Sequence, residues 1–328
     1  MVSIGQNVLA YPVMIALFLI ISLIINRILI RYSFNLGTRG QENLIRWSQQ
    51  QKPSLGGFSF YILFVGAILL FSLVDFAYPD MNNRQLFALF LACSLGFFIG
   101  LADDAYNTYP VLKLLGQLTC ANILVSMGLV IPLTPSMLLN GLFTIVWVVA
   151  VMNSINMLDN MDGITATVAT GILLNGILLV YLQTGTFTTS MLLFTSVAAT
   201  LLGFLYFNWH PSRIFMGDAG SQFLGIFLAT TSIWAMWGFK NPTGEYFQIR
   251  QFLIPLIAFQ IPAIDTATVI LRRIGRGQMP FVGGRDHTTH HFAYLGLKDG
   301  QVAGLYAVFA LLSILEAYGV YRLFSHWQ

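Results

Sequence analysis

Residues 153–163 read NSINMLDNMDG, three asparagines and two aspartates placed directly after an apolar run over 137–152. Continued as a helix at 100° per residue, Asn153, Asn156 and Asn160 share an arc of about 60°, with Asp159 and Asp162 flanking it on one side. Such a face of side-chain oxygens, with no lysine or arginine in the stretch, suits a hard cation, ribose hydroxyls or a base edge. The plain alternative is a solvated turn with asparagine caps.

Other polar groups stand at the ends of apolar runs in the same way. Asp103 and Asp104 are adjacent at the end of an apolar stretch, and neighbouring carboxylates repel unless a cation or proton lies between them. They are read as a metal- or phosphate-handling pair, against a solvated helix end. Lys52 precedes Gly56 and Gly57, which permit close backbone approach, and its ammonium can seek phosphate or simply anchor at the membrane surface. Asp218 lies between Gly217 and Ala219 at the start of another run, either as an N-cap with Ser221 at the third helical position or beside backbone N–H groups that favour phosphate. Asp265 falls inside an apolar run that Pro255 and Pro262 should bend. An ionisable residue there is a functional candidate, with a structural partner such as Arg272 or Arg273 as the competitor. The polar segment after it carries Arg285, Asp286, His287, His290 and His291, whose histidine spacing admits zinc but whose lack of a Glu or Cys partner favours a cationic cradle for phosphate.

The elements that must position these groups are apolar helices. The chain has 56% hydrophobic and 9% charged residues and a mean hydropathy of +0.73, far from the roughly 25% charged composition of soluble domains. Apolar runs of about spanning length recur at roughly 9–30, 56–75, 85–102, 112–131, 137–153, 164–182, 189–207, 220–238, 250–271 and 301–323. The expected fold is therefore an all-α polytopic membrane protein, a single domain of about ten transmembrane helices over 1–328. A β-barrel would show short alternating segments instead.

Lysine and arginine set the orientation. Arg27, Arg31, Arg39, Arg46, Lys52, Lys113, Arg213, Arg272, Arg273, Arg276, Arg285 and Lys298 fall in the odd-to-even connections, against only Arg84, Lys240, Arg250 and Arg322 on the other side. Both termini are expected outside, with the odd-to-even connections cytoplasmic. The first run has its basic residues after it, the reverse of a secretory signal, and should remain as a span. Cys93 and Cys120 sit inside runs and are read as small apolar packing groups. No interleaving of basic and aromatic residues argues for nucleic acid. Asp103, Asp104, Asp159, Asp162, Asp218, Asp265 and Asp286 thus share one side of a membrane with the basic groups, an arrangement that argues for phosphoryl transfer at the interface with Mg²⁺ (or Mn²⁺).

In order along the chain, KPSLGG, GLADD, NSINMLDNMDG, FNWHPSRIFMGDAGSQFLG, PAIDTATVILRRIGRGQMPF and GGRDHTTHHFAYLGL resemble the polyprenyl-phosphate N-acetylhexosamine-1-phosphate transferases over about residues 10–323. The resemblance implies a multi-pass protein of the inner (plasma) membrane with a cytoplasmic Mg²⁺ site, in a family where a homodimer is common, though the sequence leaves the oligomeric state open. The implied reaction is attack of a polyprenyl (undecaprenyl) phosphate oxygen on the β-phosphorus of a UDP-N-acetylhexosamine. This is the first membrane step of cell-envelope glycan synthesis. By the same resemblance Asp103 and Asp104 hold or deprotonate the lipid phosphate. Asp218 and Asn156 ligate the metal, and Asn153, Asp159 and Asp162 serve the nucleotide. Lys52 lies at the uridine and phosphate pocket, and Arg285, His287, His290 and His291 belong to the loop over diphosphate and sugar. Asn160 stands where many members have Gly, and His291 where relatives often have Arg. The loop lacks the triple-histidine form of the peptidoglycan branch, which favours UDP-GlcNAc over a phospho-N-acetylmuramoyl-pentapeptide donor.

Competing classes fit less well. A secondary transporter places charges near the membrane midplane on broken helices, and only Asp265 with Pro262 answers to that. An inactive scaffolding paralogue would not need intact acid motifs. A CDP-alcohol phospholipid synthase would need a D-G-x-x-A-R pattern, whereas Ile164, Thr165, Ala166 and Thr167 follow Asp162 and Gly163.

Overall fold

A computed structural model describes residues 10–33, 52–73, 81–238, 249–279, 284 and 286–325. Helix falls on every one of the ten apolar runs. In chain order the helices are α1 (Ala10–Tyr32), α2 (Gly56–Leu73), α3 (Asn83–Tyr106), α4 (Pro110–Ser126), α5 (Met137–Leu158), α6 (Ile164–Thr184), α7 (Thr189–Asn208), α8 (Gly217–Ser232), α9 (Ile249–Ala258), α10 (Gln260–Gly275), α11 (Thr288–Tyr294) and α12 (Asp299–Ser325). No strand occurs among the described residues. Six of the helices, α1, α3, α5, α6, α7 and α12, are long and apolar enough to cross a membrane, and the pair α9–α10 makes a seventh if it counts as one span. That pair is bent by 71° at Phe259, where Pro262, in the first turn of α10, has no N–H to give the Ala258 carbonyl four residues before it. The run 112–131 yields only the 17 residues of α4, and the run 220–238 yields α8 followed by a π-helical turn, Ile233–Trp237.

Local chemistry sets the ends of the helices that matter. Asn82 and Gln85 form a reciprocal capping box at the start of α3, and Asn107 in the left-handed conformation, φ 50°, ends it immediately after Asp103 and Asp104. Pro110 then opens α4 where its missing N–H costs nothing. Between α5 and α6 the chain reverses through Gly163, φ 76°, so the helix that could have carried residues 153–163 as one face stops at Leu158.

The centre of the bundle is α8, with every residue buried but Asp218. Phe64 and Phe223 pack edge to face across α2 and α8, and Phe223 stacks with Phe227 along α8. On α3, Gly100 lets the backbone of α8 come so near that a Cβ there would lie 2.1 Å from the Asp218 carbonyl oxygen. On α2, Gly57 meets Gly220 in the same manner, and the Gly56 and Gly57 amides donate to the carbonyls of Phe215 and Met216, both at 3.0 Å. Gly57 therefore admits the α8 backbone, and Gly56 admits the Phe204 ring of α7 and the Phe215 carbonyl that precedes α8. The contacts lock the ends of α2, α3 and α8 together at one end of the bundle.

Candidate active site

Four helix ends meet around the ammonium of Lys113. It donates to Asp103 Oδ2 at 2.7 Å from the end of α3 and to Asn156 Oδ1 at 3.1 Å from the last turn of α5. It also lies 3.5 Å from Asp218 Oδ1 at the start of α8. Asn156 Nδ2 donates to that same Asp218 oxygen and to Ser221 Oγ, the latter at 2.8 Å. The turn after α3 fixes the other oxygen of Asp103, which accepts from the Thr108 amide at 2.9 Å and the Thr108 hydroxyl at 2.7 Å. One turn deeper, Gln117 of α4 bonds to both Asn153 of α5 and Gln222 of α8. Asn153 Nδ2 donates to Gln117 Oε1 at 2.8 Å, and Gln117 Nε2 donates to Gln222 Oε1 at 3.1 Å. Asn153 thus lies in an uncharged amide layer beneath the ionic one.

The adjacent aspartates divide. Neighbouring residues on a helix point about 100° apart, and Asp104 turns away from Lys113 to accept from the backbone amides of Asp218 at 3.0 Å and Ala219 at 2.9 Å. It caps α8 from another helix, and those two N–H groups are occupied by a carboxylate. Asp218 is not the N-cap that spacing suggested. Met216 holds that place, and Gly217, φ 75°, turns the chain so that the Asp218 side chain, 37% exposed, projects toward Lys113.

Residues 159–163 split similarly. Asp159 ends α5. Asp162 accepts from the Ser212 amide at 3.0 Å and hydroxyl at 2.8 Å, and from His210 Nδ1 at 3.1 Å, with Lys52 Nζ 3.9 Å away. Lys52 also donates to Ser212 Oγ at 3.1 Å and lies over the Phe215 ring. Lys52 and Asp162 therefore form a second cluster, which the 52–57 segment joins to α8 through the amide bonds above. Asn160 belongs to neither: its oxygen accepts from the Thr289 hydroxyl at 2.5 Å, tying the turn to α11.

The histidine segment rests on α10. His287 Nδ1 lies 2.8 Å from Asp265 Oδ2, and the Thr288 amide and hydroxyl donate to Asp265 Oδ1 at 2.8 and 2.6 Å. Asp265 pairs with neither Arg272 nor Arg273. Arg273 and Arg276 take Asp286 instead, at 3.4 and 3.0 Å. Burial pushes the Asp286 carboxyl up, but the two guanidiniums outweigh it and hold its pKa below the ordinary value. His290 is buried edge to face with His287, 5.4 Å between centroids. His291 has its pKa lowered by burial and by the Arg272 charge. Arg285 lies outside the described residues.

Among the described residues no three His, Cys, Asp or Glu side chains are grouped to hold a metal unaided. The donors around Lys113 nevertheless suit Mg²⁺. They are hard oxygens that already gather about one cation, and Mg²⁺ is ordinarily bound by one or two carboxylates with water and substrate phosphate completing the octahedron. Sequence reasoning counted Lys113 only as an orientation signal, because nothing local shows that α4 folds back onto α3. His210, Ser212 and Thr288 were missed for the same reason. Gln117 and Gln222 carried a readable signal, an amide inside an apolar run.

The helices and the ionic cluster at their ends define a membrane-embedded protein with a polar site at one end of its bundle. The sequence model of glycosyl transferase family 4 matches residues 86–236, which include Asp103, Lys113, Asn156, Asp162 and Asp218. A Bacillus subtilis protein described as a probable undecaprenyl-phosphate N-acetylglucosaminyl 1-phosphate transferase is 29% identical, the match covering 94% of this chain and 83% of that one. A decaprenyl-phosphate N-acetylglucosaminephosphotransferase of Mycobacterium leprae is 30% identical over 76% of this chain and 68% of its own. A phospho-N-acetylmuramoyl-pentapeptide-transferase of Kosmotoga olearia is 29% identical over 79% and 80%. The chain belongs to the polyprenyl-phosphate N-acetylhexosamine-1-phosphate transferases of glycosyl transferase family 4.

Proposed function

We propose that the protein transfers N-acetylglucosamine 1-phosphate from UDP-GlcNAc to a polyprenyl phosphate, giving polyprenyl-diphosphate-GlcNAc and UMP. The observation that carries this reading is the convergence of Asp103, Lys113, Asn156 and Asp218 from four helix ends, in a chain whose relatives include two named for this transfer. A phosphate monoester, second pKa about 6, is already nucleophilic at neutral pH. Its oxygen bonds to the β-phosphorus as the bond from that phosphorus to the bridging oxygen breaks, and UMP leaves with the electron pair. Catalysis then consists mainly of positioning and charge neutralisation.

Lys113 supplies positive charge where two anionic groups must approach. Asp218 and Asn156 would hold Mg²⁺, which when bound offsets diphosphate charge. Asp103, fixed by Thr108, orients Lys113. The cluster of Lys52, Asp162, Ser212 and His210 offers donors and acceptors to a nucleotide. The charge distribution of the connections supports a cytoplasmic site and outside termini in an inner membrane, and the resemblance supports a homodimer. The test is UMP release by purified protein from UDP-GlcNAc, undecaprenyl phosphate and Mg²⁺. Release from no UDP-N-acetylhexosamine in a donor panel would overturn the reading.

A further inference from the structure

Asp265 has no role in the reading above, yet it is the most enclosed acid of the site region, 1% exposed in a helix of the bent α9–α10 pair. A carboxylate in such a place costs several kcal/mol unless its oxygens are well bonded. Here both are, bonded by the two adjacent residues His287 and Thr288. Oδ1 accepts from the Thr288 amide and hydroxyl, and Oδ2 faces His287 Nδ1 at 2.8 Å. The Thr288 hydroxyl in turn meets Tyr306 of α12 at 2.6 Å. Arg272 and Arg273 lie on the same helix, but Arg273 is engaged by Asp286, so charge pairing along α10 does not explain where Asp265 points.

We propose that Asp265 is a positioning residue for His287. An ionised carboxylate has no proton to give, so the ring nitrogen facing it must carry the hydrogen. Nδ1 of His287 is therefore the protonated nitrogen, and Nε2 is the only ring atom left with which His287 can meet a substrate oxygen. The same carboxylate caps the first amide of α11, which sets the ring's height as well as its rotation. Asn160, through Thr289, and Tyr306, through Thr288, hold the short helix from two further sides. This arrangement resembles the carboxylate partners that orient metal-ligating histidines, whose removal costs about 10–100-fold in function, with a substrate oxygen in the place of the metal under the transferase reading. The proposal rests on the transferase reading only for what Nε2 touches; the tautomer itself follows from the geometry.

The test is ¹⁵N NMR of histidine-labelled protein in nanodiscs, with His287 assigned by loss of its signals in H287Q. The expected wild-type spectrum has His287 protonated at Nδ1. D265N, whose amide can donate as well as accept, should release that preference, lower kcat about 10–100-fold, and leave KM for polyprenyl phosphate within about twofold. T288V, which removes only the hydroxyl bonds, should keep the wild-type tautomer. D265E should recover part of the turnover lost in D265N. A His287 bare at Nδ1 in the wild type overturns the proposal, and does so even where D265N fails to fold. An unchanged tautomer in folded D265N, with only thermal stability reduced, overturns it equally. Absence of any transferase activity would strike the functional reading and leave the tautomer result standing.

Discussion

Replacing Lys113 with methionine keeps most of the side chain's length and removes its charge, which tests the ionic cluster directly. Nζ lies 2.7 Å from Asp103 Oδ2 and 3.5 Å from Asp218 Oδ1, with the Lys113 and Asp103 side chains 17% and 10% exposed. At an effective dielectric of about 20 these attractions are worth about 6 and about 5 kcal/mol before desolvation. Desolvation of the ammonium offsets much of this, and removing one partner of a buried pair typically costs about 3–5 kcal/mol because the other charge is stranded. Asp218 is partly open to water, so K113M is expected to lose about 2–3 kcal/mol. The assay is thermal unfolding in detergent with and without MgCl₂. Asp103 and Asp218, relieved of their ammonium, should then draw in a divalent cation, and Mg²⁺ should stabilise K113M more than the wild type. Turnover should fall by about 100-fold or more, since the charge offered to the transferring phosphoryl group is gone. A variant as stable as wild type, with the same Mg²⁺ response, would refute the cluster as drawn.

D162N should raise KM for the UDP-sugar while leaving KM for the lipid phosphate unchanged, because Asp162 organises Ser212, His210 and Lys52 away from the Lys113 cluster; steady-state kinetics with each substrate varied decides it. G100A places a methyl 2.1 Å from a backbone carbonyl of α8, and should cost about 2–3 kcal/mol, seen as a lower thermal midpoint. His291 should titrate below the ordinary histidine value in an NMR pH series. The sign follows: the unfolded chain binds that proton near pH 6.5 while the fold resists it. The His291 contribution is thus absent at high pH and becomes destabilising as pH falls below about 6.5.

Much of the site was visible as residue type and place. Asp103, Asp218 and Asn156 stood out as carboxylates and amides at the ends of apolar runs, where a cap or a solvated helix end was the competing reading, and the structure brings them together on Lys113. The helical projection of residues 153–163 applied only to Asn153 and Asn156, because Gly163 allows the chain to reverse after Leu158. Asp159, Asn160 and Asp162 then take separate directions. The partner of Asp265 was not legible because the nearest basic residues in sequence, Arg272 and Arg273, compete with a histidine 22 positions away that only the bend and return of the chain bring close.

By itself the sequence determined that the chain is helical and apolar enough to enter a membrane, along which stretches its long helices run, and which polar residues collect near their ends. Hydropathy, capping and glycine conformations act over a few residues, so they can be read locally. Tertiary structure alone decided what each polar side chain meets. Adjacent Asp103 and Asp104 are separated by about 100° of helix rotation, and the close glycine contacts of α2 and α3 with α8 set that rotation: one aspartate is turned to Lys113 and the other to the α8 backbone. Residues 153–163 are accordingly three things in the fold. They supply an amide layer at Asn153, an ionic partner at Asn156, and, beyond the end of α5, tethers to the loops that carry Ser212 and the histidines.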